Sequence, residues 1–255
     1  MVSGAVGAEA DEHVPTVGLI VPPQRSEVPP DAGLLYPMVS FRAIGLGLES
    51  MTLDGYEAAI GRLGLAGEQL AAEGVAAISV MGTSLTFFRG AGFNEKLRRD
   101  LSRATGLPTT TMSTAIVRGL RQLGVRQLIA VTAYSEEVNH RLRIFLAESG
   151  FALLSVTGLG ITAMDGPQAV SETTLIASVL AAFEEAGGQM DGVLISCGGL
   201  RTVDVVEQLE IALDIPVVSS DLAGLWDVAC LVRSARPVAG HGRLLARGMP
   251  MADIS

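Results

Sequence analysis

Short apolar runs alternate with helical patterns along this 255-residue chain, and that alternation limits the fold more than any other feature. Five runs have the length and β-branched content of buried strands, at residues 17–21, 76–80, 128–131, 192–196 and 216–219. Helical periodicity predicts helices at residues 56–73, 91–105, 113–123, 135–149, 171–186 and 202–213. This order of strands and helices favours an α/β fold with mainly parallel sheets and helices on both faces.

Two stretches of the chain are similar to each other. The apolar run that ends at residue 80 leads to Gly82, and the run that ends at residue 196 leads to Cys197. When the two stretches are aligned on these positions, the segment around Pro108 matches the segment around Pro216. We therefore predict two related halves, of which only the second keeps a cysteine at this position.

The composition argues against several classes of protein. Hydrophobic residues make up 49% of the chain, but glycine and polar residues interrupt every apolar run well before the ~18 residues that a membrane span requires. The net charge is −9 and the 18 Lys and Arg residues form no stripe, which argues against a nucleic-acid partner. With two cysteines and no leader pattern, a cytoplasmic protein without disulfides is expected. Residues 1–13 and 248–255 lack any pattern and are predicted to be flexible termini.

Cys197 is the residue that points most directly to chemistry. It follows a predicted buried strand and precedes Gly198 and Gly199, whose bare backbone N–H groups can come close to a bound anion. A sulfur that carries a proton beside an anion site suggests carbanion chemistry. The alternative is an inert, packed thiol, which is the commoner role of a free cysteine. Cys230 lies in a helical pattern at residues 222–232, and there a packing role is expected.

No metal or cofactor site is predicted. His13, His140 and His241 are isolated, without the spacing of a metal site. The segment from Gly45 to Leu48 is not a full dinucleotide-binding fingerprint.

Several motifs, taken in order, resemble those of the aspartate/glutamate racemase superfamily and, within it, the arylmalonate decarboxylases. The resemblance covers roughly residues 15–245 and rests on Val21-Pro-Pro23, Gly45-Leu-Gly-Leu48, Met81-Gly-Thr-Ser-Leu85, Thr111-Met-Ser-Thr114, Thr132-Ala-Tyr134, Leu159-Gly-Ile-Thr162, Ser196-Cys-Gly-Gly-Leu200 and Gly240-His-Gly-Arg-Leu244. It implies two pseudo-twofold-related α/β domains with the active site in the cleft between them. Residues 14–112 with 219–247 would form the first domain, and residues 113–218 the second.

The resemblance also implies a reaction. Racemases of the superfamily use one cysteine on each face of the substrate, whereas this chain has Gly82 at the first-half position. A single thiol protonates one face, which suits cofactor-independent, enantioselective decarboxylation of α-aryl or related α-substituted malonates to monocarboxylic acids. The expected partner is therefore a small-molecule dicarboxylate, and we expect a monomer.

By the same resemblance, Cys197 protonates an enediolate intermediate and must rest as the thiol. The implied dioxyanion hole comprises Thr83, Ser84, Tyr134, Gly198 and Gly199, and the implied substrate pocket comprises Pro22, Leu48, Met51, Tyr56, Gly82 and Met164. Ordinary structural roles remain open for these residues. Thr83 and Ser84 are also typical of a helix cap, Tyr134 of a packed aromatic, and the apolar pocket residues of a core.

Two other functions compete with decarboxylation. A racemase or a maleate-type cis–trans isomerase of the same superfamily would need a first-half cysteine, and Gly82 argues against both. A non-catalytic carboxylate-binding protein on a two-domain scaffold is the other alternative. The thiol inside the anion site and the missing export pattern argue against it.

Overall fold

Two four-stranded parallel sheets organise the chain. The structure is a computed structural model that describes residues 14–250, so the termini predicted to be flexible lie outside the described residues, except for 248–250. The strands are β1 (Thr16–Val21), β2 (Ser40–Gly45), β3 (Ala77–Val80), β4 (Thr109–Thr111), β5 (Gln127–Thr132), β6 (Ala152–Gly158), β7 (Gly192–Ser196) and β8 (Val217–Ser219). The helices are α1 (Pro30–Leu35), α2 (Leu53–Ile60), α3 (Leu63–Ala72), α4 (Thr83–Phe87), α5 (Ala91–Thr105), α6 (Met112–Gln122), α7 (Glu136–Glu148), α8 (Glu172–Glu185), α9 (Val206–Leu213), α10 (Ser220–Leu231) and α11 (Arg243–Arg247), with a 3-10 turn at Gly166–Ala169.

The two sheets have the same topology. The first runs in the order β2-β1-β3-β4 and the second in the order β6-β5-β7-β8, with parallel pairing throughout. Each strand of the second sheet thus has a counterpart four strands earlier. The predicted fold class, α/β with two related parallel sheets flanked by helices, is confirmed.

The strands that the sequence predicts differ in composition from those that it does not predict. Every residue of β3 and β7 is buried, which produces the continuous apolar runs of central parallel strands. The edge strands β2 and β6 are partly exposed and mix polar with apolar residues, and β4 is buried but consists of three threonines. These three strands do not appear among the predicted ones, because polar residues interrupt or replace their apolar pattern.

Two of the predicted helices differ from the observed ones. The prediction of one helix over residues 56–73 is wrong, because the chain breaks at Gly61 and Arg62 between α2 and α3. The helix predicted to start at residue 202 begins only at Val206, after an extended turn. The helix over residues 91–105 is confirmed residue for residue as α5.

Helix α10 returns the chain to the first half of the molecule. It packs against α6 and against β3 and β4, and it is buried from Ser220 to Cys230. Its buried Asp227 forms an ion pair with Arg118 of α6 and accepts a hydrogen bond from the Thr110 hydroxyl of β4. These contacts compensate the buried carboxylate and join α6, β4 and α10 to one another.

The end of the described chain is tied to the same helix. The indole N–H of Trp226 donates to the carbonyl of Gly248 over 2.8 Å. Between residues 14 and 250, no helix combines the length and the apolar character that crossing a membrane requires.

Candidate active site

A cavity of about 740 Å³ opens where the carboxyl ends of the strands from both sheets face each other. Ligands of open parallel sheets bind at these strand ends. Among the residues that line it are eleven of those predicted from the sequence: Pro22, Leu48, Met51, Gly82, Thr83, Ser84, Tyr134, Met164, Cys197, Gly198 and Gly199. The two halves therefore contribute to a single site.

Tyr56 is the predicted pocket residue that the structure does not place on the cavity wall. It is fully buried on α2, and its ring packs on Phe88 at a centroid distance of 5.5 Å. Its hydroxyl approaches the Ser84 side chain on the cavity wall, and this contact offsets part of the effect of burial on the pKa of the hydroxyl. Burial raises the pKa of this hydroxyl above its usual value, so it stays neutral.

Cys197 directly follows β7 and is 7% exposed. Its backbone N–H donates to the Ser220 hydroxyl over 3.2 Å, and its carbonyl accepts from the Leu200 N–H over 3.2 Å. The φ angle of Cys197 is 157°, a value that residues with a side chain rarely adopt. Contacts on both sides of the residue thus hold a strained backbone that aims the thiol at the cavity.

The thiol of Cys197 is held in its protonated form. Burial raises its pKa to about 11, and the nearby Asp221 adds to the rise. Hydrogen bonds from the backbone of Gly199 and Leu200 and from Tyr134 offset part of this effect. A protonated thiol fits a proton donor, whereas a nucleophilic cysteine needs a lowered pKa.

Gly198 and Gly199 are closely packed. A Cβ at Gly198 would lie 2.7 Å from Met112 Cε at the end of a flexible side chain, and a Cβ at Gly199 would lie 3.1 Å from Pro167 Cβ. Both glycines line the cavity together with Met112 and Pro167. Their backbone is therefore the surface that a ligand meets.

The facing wall begins at Gly82. Thr83 and Ser84 start α4 immediately after β3, and neither side chain caps this helix, because Gly82 is its N-cap residue. The Thr83 hydroxyl instead donates to the thioether sulfur of Met112 over 2.9 Å. The capping alternative is therefore wrong for these two residues, and their hydroxyls belong to the cavity.

Gly82 itself is closely packed. A Cβ built on it would lie 3.1 Å from Pro22 Cγ and 3.2 Å from Leu85 Cβ. Since Gly82 lines the cavity across from the second half, the first-half wall offers hydrogen there and no proton-carrying side chain.

Tyr134 lies on the cavity and is 1% exposed. Its hydroxyl is 3.4 Å from the Ser196 hydroxyl, and its ring packs edge-on against Phe87. Burial raises the pKa of the phenol well above its usual value. Tyr134 is therefore a packed aromatic and also a neutral hydrogen-bond donor in reach of the cavity.

An acidic pair on the cavity wall has no signal in the sequence. Asp221, at the start of α10, is 5% exposed and shares a hydrogen bond with Asp31 of α1. Burial and the charge of Asp31 raise the pKa of Asp221 to about 8, and burial also raises the pKa of Asp31. Two carboxyl groups in contact hold a proton between them, because both cannot ionise together at low cost.

The loops that follow β2 and β6 join over the apolar part of the cavity. Ser50 and Ala163 form an antiparallel bridge, and the Met51 N–H donates to the Thr162 carbonyl over 2.8 Å. Met51 and Met164 lie beside this bridge and line the cavity. The described residues hold no group of three or more His, Cys, Asp or Glu side chains suited to a metal ion.

Comparisons with known proteins agree on one family. The family model described as arylmalonate decarboxylase matches residues 17–245. An arylmalonate decarboxylase from Bordetella bronchiseptica is 47% identical over 233 residues, which are 90% of this chain and 96% of that protein.

Solved structures show the same relationship. The crystal structure of a liganded arylmalonate decarboxylase, in which a glycine is replaced by cysteine and a cysteine by serine, is 45% identical, with a TM-score of 0.88 over 90% of this chain and 98% of that one. A maleate isomerase from Pseudomonas putida S16, 18% identical with a TM-score of 0.84 over 91% of this chain and 98% of that one, shares the fold. From the match over residues 17–245 and the 47% identity, this chain belongs to the arylmalonate decarboxylase family.

Proposed function

We propose that this protein decarboxylates α-aryl or related α-substituted malonates and releases one enantiomer of the monocarboxylic acid, with stabilisation supplied by its own hydrogen-bond donors. The observation that carries the proposal is a single protonated thiol, Cys197, on a cavity whose facing wall has Gly82 at the matching position. The family to which the chain belongs supports the same reaction. The substrate class is a small dicarboxylate.

Loss of CO₂ breaks the bond between the α-carbon and one carboxyl carbon. The bonding electrons then delocalise over the α-carbon and the two oxygens of the remaining carboxylate, as an enediolate. In the proposal the hydroxyls of Thr83, Ser84 and Tyr134, with the backbone N–H groups of Gly198 and Gly199, bind these oxygens. One well-placed donor of this kind contributes roughly 2.7 to 4 kcal/mol of barrier reduction, so several donors account for a large acceleration.

The departing carboxylate is proposed to sit against Leu48, Met51 and Met164, which line the cavity under the joined loops. An apolar environment solvates the dianionic substrate poorly, and it suits the neutral CO₂ that forms. The carboxylate that stays is held by the donors on the opposite side.

Proton transfer completes the reaction. The thiol of Cys197 gives its proton to the α-carbon on one face, the S–H bond breaks, and the resulting thiolate recovers a proton from solvent. Because burial raises the pKa of the thiol to about 11, the thiolate is a strong base and reprotonates readily. Gly82 offers no donor on the other face, which supports a single product configuration and argues against a racemase or an isomerase.

The first prediction concerns Cys197. Cys197→Ala is expected to abolish product formation from phenylmalonate, because it removes the thiol that delivers the proton in the proposal. Loss of CO₂ is followed by gas release, and product by chromatography. Near-full turnover in this variant would reject Cys197 as the donor, and Cys230→Ala, which alters a buried thiol on α10, is the matched control.

Deuterium uptake separates an enzyme from a binding protein. In D₂O the wild-type protein is expected to place one deuteron on the α-carbon of a prochiral substrate, with one configuration. A carboxylate-binding protein would yield no product. The decarboxylase is also expected to keep its activity after treatment with a chelator.

A further inference from the structure

Met112 touches both walls of the cavity with a single side chain. Its sulfur accepts a hydrogen bond from the Thr83 hydroxyl over 2.9 Å, on the first-half wall. On the second-half wall, a Cβ at Gly198 would lie 2.7 Å from its Cε and 3.0 Å from its sulfur. The thioether therefore contacts one hydroxyl donor and lies beside one backbone donor of the proposed dioxyanion hole, and Met112 also lines the cavity itself.

The backbone of Met112 is fixed in place. It is the first residue of α6, directly after the N-cap residue Thr111, whose hydroxyl accepts from the Thr114 N–H over 3.0 Å. The neighbouring Ser113 hydroxyl donates to the Thr83 carbonyl over 3.0 Å. With a side chain 1% exposed, Met112 has a defined position relative to Thr83 from which its sulfur can act.

The Thr83 hydroxyl has two possible acceptors, the Met112 sulfur and a substrate carboxylate, and their different strengths matter for catalysis. A Thr hydroxyl has one proton to donate, and a thioether sulfur is a weak acceptor, whereas a carboxylate is a strong one. The hydrogen bond to the sulfur of Met112 gives the Thr83 hydroxyl a defined orientation while its proton rests on a weak acceptor. The hydroxyl can then transfer its hydrogen bond to a carboxylate by rotation of the O–H alone.

We infer that Met112 is a positioning residue for the decarboxylation: its thioether holds the Thr83 hydroxyl in the arrangement that binds the enediolate. This inference rests on the proposed function. Met112 lines the cavity next to Thr83, and its role is exerted through the Thr83 hydroxyl.

The test is a double-mutant cycle in kcat and KM for phenylmalonate. Met112→Leu conserves volume but removes the acceptor, and it is expected to lower kcat about tenfold with a smaller effect on KM. Thr83→Val removes the hydroxyl that Met112 positions. In the Thr83→Val background, Met112→Leu is expected to change kcat by less than about twofold, because the hydroxyl is already gone.

The cycle separates positioning from packing. If Met112→Leu merely disturbs the core, its cost persists in the Thr83→Val background, and additive effects would overturn the inference. An unchanged kcat in Met112→Leu would overturn it as well. Met190→Leu, the same substitution at a buried position before β7, is the control and is expected to leave kcat within about twofold of wild type.

A second variant at this position keeps the inference testable if Met112→Leu fails to fold. Met112→Gln has a similar length but carries a strong amide acceptor that competes with substrate for the Thr83 proton. It is expected to lower kcat only while Thr83 is present, and the same loss with and without Thr83 would count against the inference. If wild-type protein consumes no phenylmalonate, the proposed function fails by itself, and the cycle is then read from the affinity for phenylacetate by calorimetry.

Discussion

The carboxyl ends of β3 and β7 occupy matching places in two sheets of the same strand order, but they present different chemistry. After β3 the chain offers Gly82 and two hydroxyls, and α4 starts at once at Thr83. After β7 it offers a thiol and two glycines, and α9 starts only at Val206. One half thus supplies side-chain donors from a helix, and the other supplies bare backbone from an open turn.

The first residues of α6 and α10 contact these two strand ends, and their contacts also differ. At the start of α6, Met112 and Ser113 bond to the hydroxyl and carbonyl of Thr83. At the start of α10, Ser220 accepts from the Cys197 N–H, and Asp221 adds to the rise in the thiol pKa. Two sheets of one topology thus end in different side chains, and in the proposal one strand end binds charge while the other delivers a proton.

After Cys197→Ala, the largest effect is expected at the backbone of the second half. Gly198→Ala places a Cβ 2.7 Å from Met112 Cε, next to the N–H that the proposal assigns to the substrate, so kcat should fall by up to about 10²- to 10³-fold, the cost of losing one such donor. Steady-state kinetics with phenylmalonate measures it. Gly64→Ala, at a helical site on α3 where a Cβ meets nothing within 4 Å, is the control and should leave kcat unchanged. Equal activity in the two variants would mean that the two strand ends do not differ as described.

A second substitution introduces a thiol at the first-half position that lacks one. Gly82→Cys adds a thiol facing the one on β7, and it is expected to yield some racemisation of arylpropionates, with proton exchange at the α-carbon. The new Cβ meets the side chains of Pro22 and Leu85 at 3.1 and 3.2 Å, so these side chains must shift by a few tenths of an ångström. Chiral chromatography and α-proton exchange in D₂O are the measurements. A product that stays stereochemically pure, without exchange, would contradict the alignment of Gly82 with Cys197.

The smallest effect is expected from the acidic pair formed by Asp31 and Asp221. The folded state raises the pKa of Asp221 from its ordinary 3.8 to about 8, so the folded protein holds this proton more tightly than the unfolded chain does. Stability from this group is complete below about pH 4 and is lost as pH rises towards about 8. The melting temperature should therefore fall over this range.

Asp221→Asn should flatten that decline, because the amide does not ionise. Asp31 remains in the variant, as do Asp204, Arg201, His241 and Cys197, the charged or titratable neighbours of the pair. Thermal melting as a function of pH provides the measurement. A decline of the same size in Asp221→Asn would show that other groups cause it.

Much of the fold follows from local patterns, and the exceptions have physical causes. β3 and β7 are buried on both faces and therefore read as apolar runs, as does β1. β4 is three threonines whose backbone is paired, and the buried hydroxyl of Thr110 donates to Asp227, which lies far along the chain. Such a strand depends on its neighbours, and no local sequence pattern predicts it.

The candidate site also contains features that the sequence predicts and features that it does not. Cys197 and its two glycines are adjacent in sequence, so the combination of thiol and anion site can be recognised without a structure. The pairing of Asp31 with Asp221 joins α1 to α10, and the contact of Met112 with Thr83 joins α6 to α4; both arise only from tertiary packing. Tyr56 was expected on the pocket wall by resemblance, and the structure places it one layer behind, against Phe88.

The bridge between Ser50 and Ala163 is made of main-chain atoms only. Side chains next to it, such as Met51 and Met164, can therefore be exchanged without releasing the cover that the two loops form. In the proposal, substrate preference and proton delivery therefore reside in separate parts of the protein. Libraries varied at these two methionines should shift which malonates are accepted, while the handedness of the product, which the proposal assigns to Cys197, should stay unchanged.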